Sequence, residues 1–463
     1  MARKVLISFL GTGTYTPVYY SWNGKKATDH PTKFIQEAIA AKLCCNWSAK
    51  DCIMVFRTNE SNQKNWLDSN DSKGLDSVLK GMTTLRCSVN PERDANTDSY
   101  MIPAGFTEQE TEEIFKAVFD KLEVGDEVYF DMTHAFRSIP IFANSLFNYA
   151  RFLKNVKVKG VYYGAFEKLG PGYLVKEWSP EQIKANPAPI VDMTNMVHLQ
   201  DLTTAAASFK NAGHLSAFSD LLADSVDTGL DESVDHIKSA LSNLDLYIQT
   251  SRIPALKAGG YMKTISSCIE NFCDSPLTSD PQRKLMREIM GSLTECGFKP
   301  KEDYCNVEAA IKWAIDHRMI LQAYTMGKEY LISIVFDILQ KEDMTSSLEK
   351  ELKAKGRKID AKNRVYELRN AISQILKGIY RTDRGYYVMD YKTPWHTSEI
   401  AKSLLKLYQN IGKLGEPYEV IAESRNILAH AGATAEDTYN FEDYQNEFAT
   451  EWENCQKVLE FLK

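Results

Sequence analysis

The stretch that decides the fold prediction is Asp131-Met132-Thr133-His134-Ala135-Phe136-Arg137. It lies where an apolar segment, residues 127–131, meets a segment of helical period that runs from about residue 138 to residue 153. A strand followed directly by a helix is the repeating unit of a parallel sheet, so the stretch predicts an α/β fold. Ligands of such sheets bind outside the carboxyl ends of the strands. The polar residues at this junction are therefore candidate ligand contacts.

Strand and helix patterns alternate throughout the first 180 or so residues. Apolar runs predict strands at residues 5–10, 53–56 and 156–164, and residues 173–178 are predicted to add a hairpin edge. Helical stripes cover residues 34–43 and, behind a Thr107/Glu110 capping box, residues 114–122. These patterns predict a Rossmann-like N-terminal domain with a parallel sheet over residues 1–182.

Beyond Pro180, Pro187 and Pro189 the apolar repeats become almost entirely helical. We predict a helical middle domain over residues 183–304 and a helical C-terminal domain over residues 305–463. A hairpin-like pattern at residues 384–391 interrupts the latter. The predicted fold class is therefore α/β plus all-α.

Composition excludes several classes of protein. The net charge of −7 and the pI near 5.8 argue against a uniformly basic nucleic-acid coat, although they permit a local basic site. The nine cysteines show no zinc-ligand spacing and favour a reducing compartment. Because no segment is long and apolar enough to span a bilayer, we expect a soluble cytoplasmic protein without membrane contact.

A second loop accompanies the Asp131–Arg137 stretch. Gly11-Thr12-Gly13-Thr14-Tyr15 follows the first predicted strand, so two strand ends present small, hydroxyl-rich loops. Arg137 falls near the start of a helix, where backbone N–H groups favour anions, and a phosphate-bearing ligand fits this chemistry. The glycines lack the third member of the dinucleotide fingerprint, which argues against a nicotinamide enzyme. For Asp131 we favour a local role in capping its loop.

The C-terminal segment contains Arg425-Asn426-Ile427-Leu428-Ala429-His430. A helix is predicted over residues 418–431, with Pro417 leading in and Gly432 ending it. Arg425 and His430 then lie about 140° apart, on the borders of an apolar stripe formed by Val420, Ile421, Ile427, Leu428 and Ala431. An imidazole can move protons and a guanidinium can hold a developing phosphorane charge, so the pair suits phosphodiester cleavage.

Other candidates have simpler interpretations. His317, Arg318, Gln322, Tyr324 and Thr325 could approach Arg425, but for them we favour helix packing over substrate contact. A basic run spans residues 350–364, and such runs usually form a solvated helix face; guidance of an RNA backbone is the alternative.

These motifs carry a resemblance to a known family. The pairing of Gly11-Thr12-Gly13 with the Asp131–Arg137 stretch resembles the CARF domain of CRISPR-associated proteins. The Arg425-Asn426…His430 motif resembles the HEPN ribonuclease motif. Together they resemble the CARF–HEPN effector ribonucleases of type III CRISPR systems, which act in antiviral defence. Residues 161–167, with the sequence VYYGAFE, are also similar to the family.

The resemblance implies a homodimer, or a higher homo-oligomer, that is allosterically activated. It binds a cyclic oligoadenylate activator through its CARF pair and cleaves single-stranded RNA through its HEPN pair. The messenger pocket would be lined by Thr12, Gly13, Thr14, Thr133, His134 and Arg137.

Arg425 and His430 of both protomers would form one composite catalytic site, with Asn426 ordering it. Two such helices meeting at a dyad can bring all four side chains around one groove, although they point apart on one helix. The implied mechanism needs neither a metal nor another cofactor, because the RNA 2′-hydroxyl is the nucleophile. It leaves a 2′,3′-cyclic phosphate and a 5′-hydroxyl.

Two alternatives stay open at this point. The chain could be a non-catalytic nucleotide sensor whose helical C-terminal region regulates a partner or DNA. The CARF pocket could also degrade its own messenger, in which case Thr133 and His134 would take part in that reaction.

Overall fold

The computed structural model describes residues 2–91, 98–134, 139–215, 231–276, 278–430 and 440–462. The chain divides into two compact units, Met1–Gln200 and Asp201–Lys463. The first is α/β and the second is largely helical, which confirms the predicted fold class at that level. The division of the helical part at residue 304, and the domain boundary at residue 182, stay predictions.

In the described part of the first unit, eight strands form one mixed sheet. They are β1 (Lys4–Leu10), β2 (Tyr20–Trp22), β3 (Lys25–Lys26), β4 (Cys52–Arg57), β5 (Ser88–Val89), β6 (Glu127–Asp131), β7 (Lys157–Gly164) and β8 (Ala188–Asp192). Their spatial order is β3-β2-β8-β7-β6-β1-β4-β5. The central strands β7, β6, β1 and β4 are parallel, as predicted, whereas β8 is antiparallel to β7 and β3 to β2.

Helices cover both faces of this sheet. They are α1 (Ile35–Leu43), α2 (Asn59–Ser61), α3 (Leu75–Lys80), α4 (Glu108–Lys121), α5 (Ile139–Lys154), α6 (Gly172–Val175) and α7 (Pro180–Ala185). Alternate residues of β1 enter opposite cores: Val5, Ile7 and Phe9 share one with α4 and α5, and Leu6 and Leu10 share the other with α1 and α3. Burial on both faces explains why β1 and β4 are apolar along most of their length.

The predicted hairpin edge at residues 173–178 is wrong. The amides of Leu174 and Val175 donate back to the carbonyl of Pro171, which closes the short helix α6. The edge of the sheet is instead supplied by β8, β2 and β3. An apolar pattern over six residues fits a short strand as well as a single helical turn. Either structure can place the apolar side chains of so short a segment on one face.

The second unit is built from helices around one hydrophobic core. The helices are α8 (Thr194–Ala212), which begins in the first unit, α9 (Asp231–Gln249), α10 (Ile253–Ala258), α11 (Gly260–Asp274), α12 (Asp280–Cys296), α13 (Cys305–Asp316), α14 (Ile320–Lys341), α15 (Thr345–Ala354), α16 (Arg364–Lys377), α17 (Glu399–Leu407), α18 (Gly415–Ala429) and α19 (Phe441–Leu459). A hairpin is present as β9 (Ile379–Arg381) and β10 (Tyr387–Met389), so only its turn and second strand fall within the predicted range, residues 384–391. Among the described helices, none is long and apolar enough to cross a membrane.

Candidate functional site

The loops after β1 and β6 lie at the same edge of the sheet, because the two strands are parallel neighbours with Ser8 opposite Asp131. The buried Ser8 hydroxyl donates to Asp131 Oδ2 at 2.7 Å, and Asp131 Oδ1 accepts the Thr133 N–H at 3.0 Å. The prediction that Asp131 caps its loop is therefore confirmed. Each oxygen of the Asp131 carboxylate therefore accepts a hydrogen bond that holds the end of β6 and the loop after it.

The side chain of Thr133 fixes the loop after β6 to the end of β7. Its hydroxyl oxygen accepts the Gly164 N–H at 2.8 Å. Thr133 does not line the cavity described below. Thr133 thus has a structural role in the described residues, and its predicted role in ligand binding stays a prediction.

His134 and Tyr15 form the centre of a pocket at the carboxyl ends of β1 and β6, which we call the strand-end pocket. Their rings stack with centroids 4.4 Å apart and an interplanar angle of 28°. Burial lowers the pKa of His134 below its usual range, against the opposing pull of the Asp131 carboxylate, so the imidazole is neutral at pH 7. His134 Nε2 and the Tyr15 hydroxyl are both buried without a well-formed hydrogen bond in the described part of the chain. Buried polar atoms in a protein are nearly always paired, so His134 Nε2 and the Tyr15 hydroxyl are candidates for hydrogen bonds with a ligand.

A cavity of about 280 Å³ adjoins this stack. Its lining includes Thr14 and His134, which were predicted, together with Lys33, Lys176 and Tyr173, which were not. The lysines place positive charge around the cavity, as a phosphate-bearing ligand requires. Lys33 precedes the helix that follows β1, so its position at the carboxyl edge of the sheet could have been inferred. Lys176 was not predicted as a ligand contact, because residues 173–178 were predicted to form a hairpin edge.

The other predicted ligand contacts have different placements. Thr12 and Gly13 are exposed in the loop after β1 and do not line the cavity. The Asn65 side-chain amide holds that loop by donating to the carbonyls of Gly11 and Gly13 at 2.9 and 3.0 Å. A Cβ atom at Gly11 would lie 2.7 Å from the Tyr15 hydroxyl, which explains the glycine. Arg137 lies outside the described residues.

The Arg425–His430 motif lies at the carboxyl end of α18, and His430 caps the helix. The helix begins at Gly415, earlier than predicted, with Pro417 inside its first turn; Ala431 and Gly432 are outside the described residues. Its buried face is centred on Tyr418, Ile421 and Ala422. Of the predicted apolar stripe, Ile421 is buried, whereas Val420, Ile427 and Leu428 are half-buried. The stripe was therefore predicted too far toward the carboxyl end of the helix.

Arg425 and His430 differ in their surroundings. His430 is exposed, whereas Arg425 is half-buried and its Nε atom is buried without a hydrogen-bond partner in the described residues. The Arg425 Nη1 group makes a long contact of 3.4 Å with Asn426 Oδ1, which supports an ordering role for Asn426. As predicted, neither Arg425 nor His430 is a core residue.

Lys328 of α14 is a cation close to Arg425 that the sequence did not reveal. Burial, followed by repulsion from Arg425 and Lys377, lowers the pKa of Lys328, and the adjacent Glu329 opposes this. The Glu329 carboxylate is already paired with Arg369 at 2.8 Å. Lys377 also lies close to Glu419, so part of the positive charge of Lys328, Lys377 and Arg425 is compensated. A cluster of cations can attract an anion such as a phosphodiester.

The side chains of Tyr324 and His317 make contacts that hold neighbouring helices together. The buried Tyr324 hydroxyl donates to Glu447 Oε1 at 2.7 Å, and the Ser424 hydroxyl donates to the same oxygen. His317 caps α13, stacks on Trp313 at 4.0 Å and contacts the Lys210 carbonyl at 3.2 Å. The packing interpretation of these two residues is therefore confirmed. Within the described ranges, no group of three or more His, Cys, Asp or Glu side chains is arranged to hold a metal ion.

The chain is similar in sequence to a CRISPR-associated protein. This relative is the CRISPR-associated protein MJ1674 of Methanocaldococcus jannaschii, with 23% identity over 285 residues. The match covers 58% of this chain and 42% of the relative, so the chain spans less than half of that protein's length. No protein-family model matches the chain. The similarity supports a CRISPR-related role and is too distant to assign an activity.

Proposed function

We propose that the protein is an endoribonuclease of type III CRISPR antiviral defence that a cyclic oligoadenylate activates. The observation that carries the proposal is the arrangement on α18: a half-buried arginine with an unpaired Nε, an exposed histidine, and Lys328 beside the arginine. The distant CRISPR-associated relative supports the same role.

The proposed reaction is transesterification of single-stranded RNA without a metal. The 2′-oxygen attacks the adjacent phosphorus as a His430 imidazole accepts its proton, and the P–O5′ bond breaks as a second imidazolium protonates the leaving oxygen. Arg425 stabilises the extra charge on the non-bridging oxygens. The products are a 2′,3′-cyclic phosphate and a 5′-hydroxyl. Because the reaction needs two imidazoles, the site is composed from two protomers of a homodimer.

The strand-end pocket is the proposed sensor. The neutral His134 and the Tyr15 hydroxyl offer polar atoms to an adenine or a ribose, and Lys33 and Lys176 offer positive charge to the phosphates. Activation requires that the messenger bind the active arrangement of the protein more tightly than the inactive one.

One assay tests the proposal. Labelled single-stranded RNA is incubated with the full chain in EDTA, without messenger and with each cyclic oligoadenylate in turn. We expect cleavage that depends on one messenger, survives chelation and yields cyclic-phosphate ends. Activity that is lost in EDTA and restored by magnesium or manganese contradicts the mechanism. Messenger binding without any cleavage favours the alternative of a non-catalytic sensor.

A further inference from the structure

The helical unit contains a groove that the Arg425–His430 motif does not use. We call it the hairpin groove; it lies between the β9–β10 hairpin, α17 and the 3-10 helix Gln409–Leu414. Its volume is about 710 Å³, which falls within the range of ligand-binding clefts. No aspartate or glutamate is among the side chains that line it.

Three lysines give the hairpin groove a positive charge. Lys402 and Lys406 lie one turn apart on α17, and Lys413 follows on the 3-10 helix. Lys402 makes an exposed ion pair with Glu399 at 3.0 Å, which is weak because water screens it. Lys406 and Lys413 make no ion pair within the described ranges. In a chain whose net charge is −7, this concentration of cations marks a local anion-binding site.

The groove also offers surfaces for bases and sugars. Tyr386 is 70% exposed at the hairpin, where its ring can stack on a base, and Gln409 and Asn410 supply amide donors and acceptors. His396 Nδ1 lies 2.8 Å from the Thr393 carbonyl and must donate to it. In the neutral imidazole, Nε2 is then an acceptor, which can take a hydrogen bond from a 2′-hydroxyl.

The walls of the groove are packed before any ligand binds. A Cβ atom at Gly412 would lie 2.4 Å from Cβ of Tyr387, and one at Gly415 would lie 2.6 Å from the Ile379 carbonyl oxygen. The hairpin therefore sits directly on the backbone that leads into α18. A preformed site loses little conformational entropy when its ligand binds.

The groove lies beside the 3-10 helix that leads into α18, and the Arg425–His430 motif lies at the carboxyl end of α18. Gly415 starts α18, and the rise of 1.5 Å per residue places Arg425 and His430 about 15 and 22 Å further along its axis. At a rise of about 3.4 Å per stacked nucleotide, this span corresponds to roughly four to seven nucleotides. One short RNA strand can therefore reach from the groove to the scissile phosphate.

We propose that the hairpin groove is an accessory subsite that holds single-stranded RNA several nucleotides from the bond that is cut. Lysines bind the phosphates, Tyr386 stacks on a base, and His396 recognises a 2′-hydroxyl. The proposal rests on the proposed nuclease function and names where that enzyme holds its substrate.

The test compares Lys406→Gln/Lys413→Gln with a matched control, Lys263→Gln/Lys284→Gln. The control removes the same charge from exposed lysines on α11 and α12. RNA affinity is measured by fluorescence anisotropy of a 20-nucleotide strand in full-length protein carrying His430→Ala, so that no cleavage occurs. We expect the groove variant to raise Kd about tenfold over the control, and to lower the dependence of log K on log salt by about 1.4, or 0.7 for each lost phosphate contact.

A second readout uses the cleaving enzyme. We expect Tyr386→Ala to raise KM several-fold with little change in kcat, since the groove holds RNA away from the reacting bond. Equal Kd values for the groove and control variants overturn the proposal, as does equally tight binding of single-stranded DNA or preference for an acidic peptide. If wild-type protein cleaves no RNA, the proposed function fails, while the anisotropy still decides whether the groove binds RNA.

Discussion

The strand-end pocket and the end of α18 each combine a histidine with cations, but they expose the histidine differently. His134 is half-buried, with its Nε2 atom buried; it is stacked on Tyr15 and held neutral, whereas His430 is exposed at a helix terminus. An imidazole that resists protonation suits recognition, because its hydrogen-bonding role stays fixed. The exposed His430 side chain is instead accessible to a substrate. The surroundings of each histidine, rather than its presence, indicate the role we propose for it.

The largest effect is expected at the end of α18. We expect His430→Ala to reduce messenger-activated RNA cleavage by about 100- to 10,000-fold, the usual contribution of a general acid or base. Arg425→Ala should reduce it by about 100- to 1,000-fold through lost charge stabilisation. Asn426→Ala should lose less, because that side chain orders Arg425 and moves no proton.

The control for these variants is His236→Ala, which removes an exposed histidine of α9. Circular dichroism should show all four variants folded, since truncating an exposed or half-exposed side chain changes stability by little. Near-normal turnover in folded His430→Ala protein would remove the distinction between the two histidines.

A second prediction concerns the unpaired Tyr15 hydroxyl. Tyr15→Phe removes a buried donor that has no well-formed partner, so the free-energy penalty for burying it disappears. We expect the free energy of unfolding of the ligand-free first unit to rise by about 1 kcal/mol. Binding of the cyclic oligoadenylate should weaken about five- to tenfold, which is about the contribution of one hydrogen bond.

Tyr100→Phe provides the opposite case in the same unit. The Tyr100 hydroxyl donates to the Pro91 carbonyl at 2.8 Å, so its removal should destabilise the protein and leave messenger affinity unchanged. Urea-dependent hydrogen exchange of the β1 and β6 amides measures stability, and calorimetry measures binding. If Tyr15→Phe destabilises the ligand-free protein, the Tyr15 hydroxyl already has a hydrogen-bond partner within the protein. It would then give no support to a ligand at this position.

The sequence predicted the sheet better than it predicted the pocket. The apolar runs of β1 and β6 predicted two parallel strands. Because parallel strands end at the same edge of a sheet, the Gly11 loop and Thr133 could be placed together at that edge. The stacking of Tyr15 on His134 could not be predicted, because it depends on how side chains pack across two loops. Lys176 could not be placed at the pocket, because the short pattern at residues 173–178 predicted a strand where the structure has a helical turn.

For the Arg425–His430 motif, the helical period located α18 but misplaced its buried face. Val420 and Ile427 are apolar yet half-buried, because burial depends on which neighbours pack against a helix as well as on hydropathy. Lys328 belongs to another helix, and its position near Arg425 follows only from the tertiary packing of α14 against α18.

The smallest expected effect is a pH dependence of stability from His134. Burial lowers the folded-state pKa of this histidine below the unfolded value of about 6.5. Above pH 7 neither state binds the proton, so the group has no effect. As the pH falls through 6.5, the unfolded state takes up a proton that the folded state resists, and stability is lost until the pH reaches the folded pKa. Between pH 7 and pH 5.5 this loss is at most about 1.3 kcal/mol.

His134→Phe keeps a ring to stack on Tyr15 and cannot titrate, so it should flatten the fall in stability of the first unit between pH 7 and pH 5.5. His236→Phe, at an exposed position in the second unit, should leave that fall unchanged. The same hydrogen-exchange measurement of β1 and β6 at each pH gives the comparison. An identical slope in His134→Phe and wild type would mean that His134 is protonated as easily in the fold as outside it. A neutral imidazole would then no longer distinguish the strand-end pocket from the end of α18.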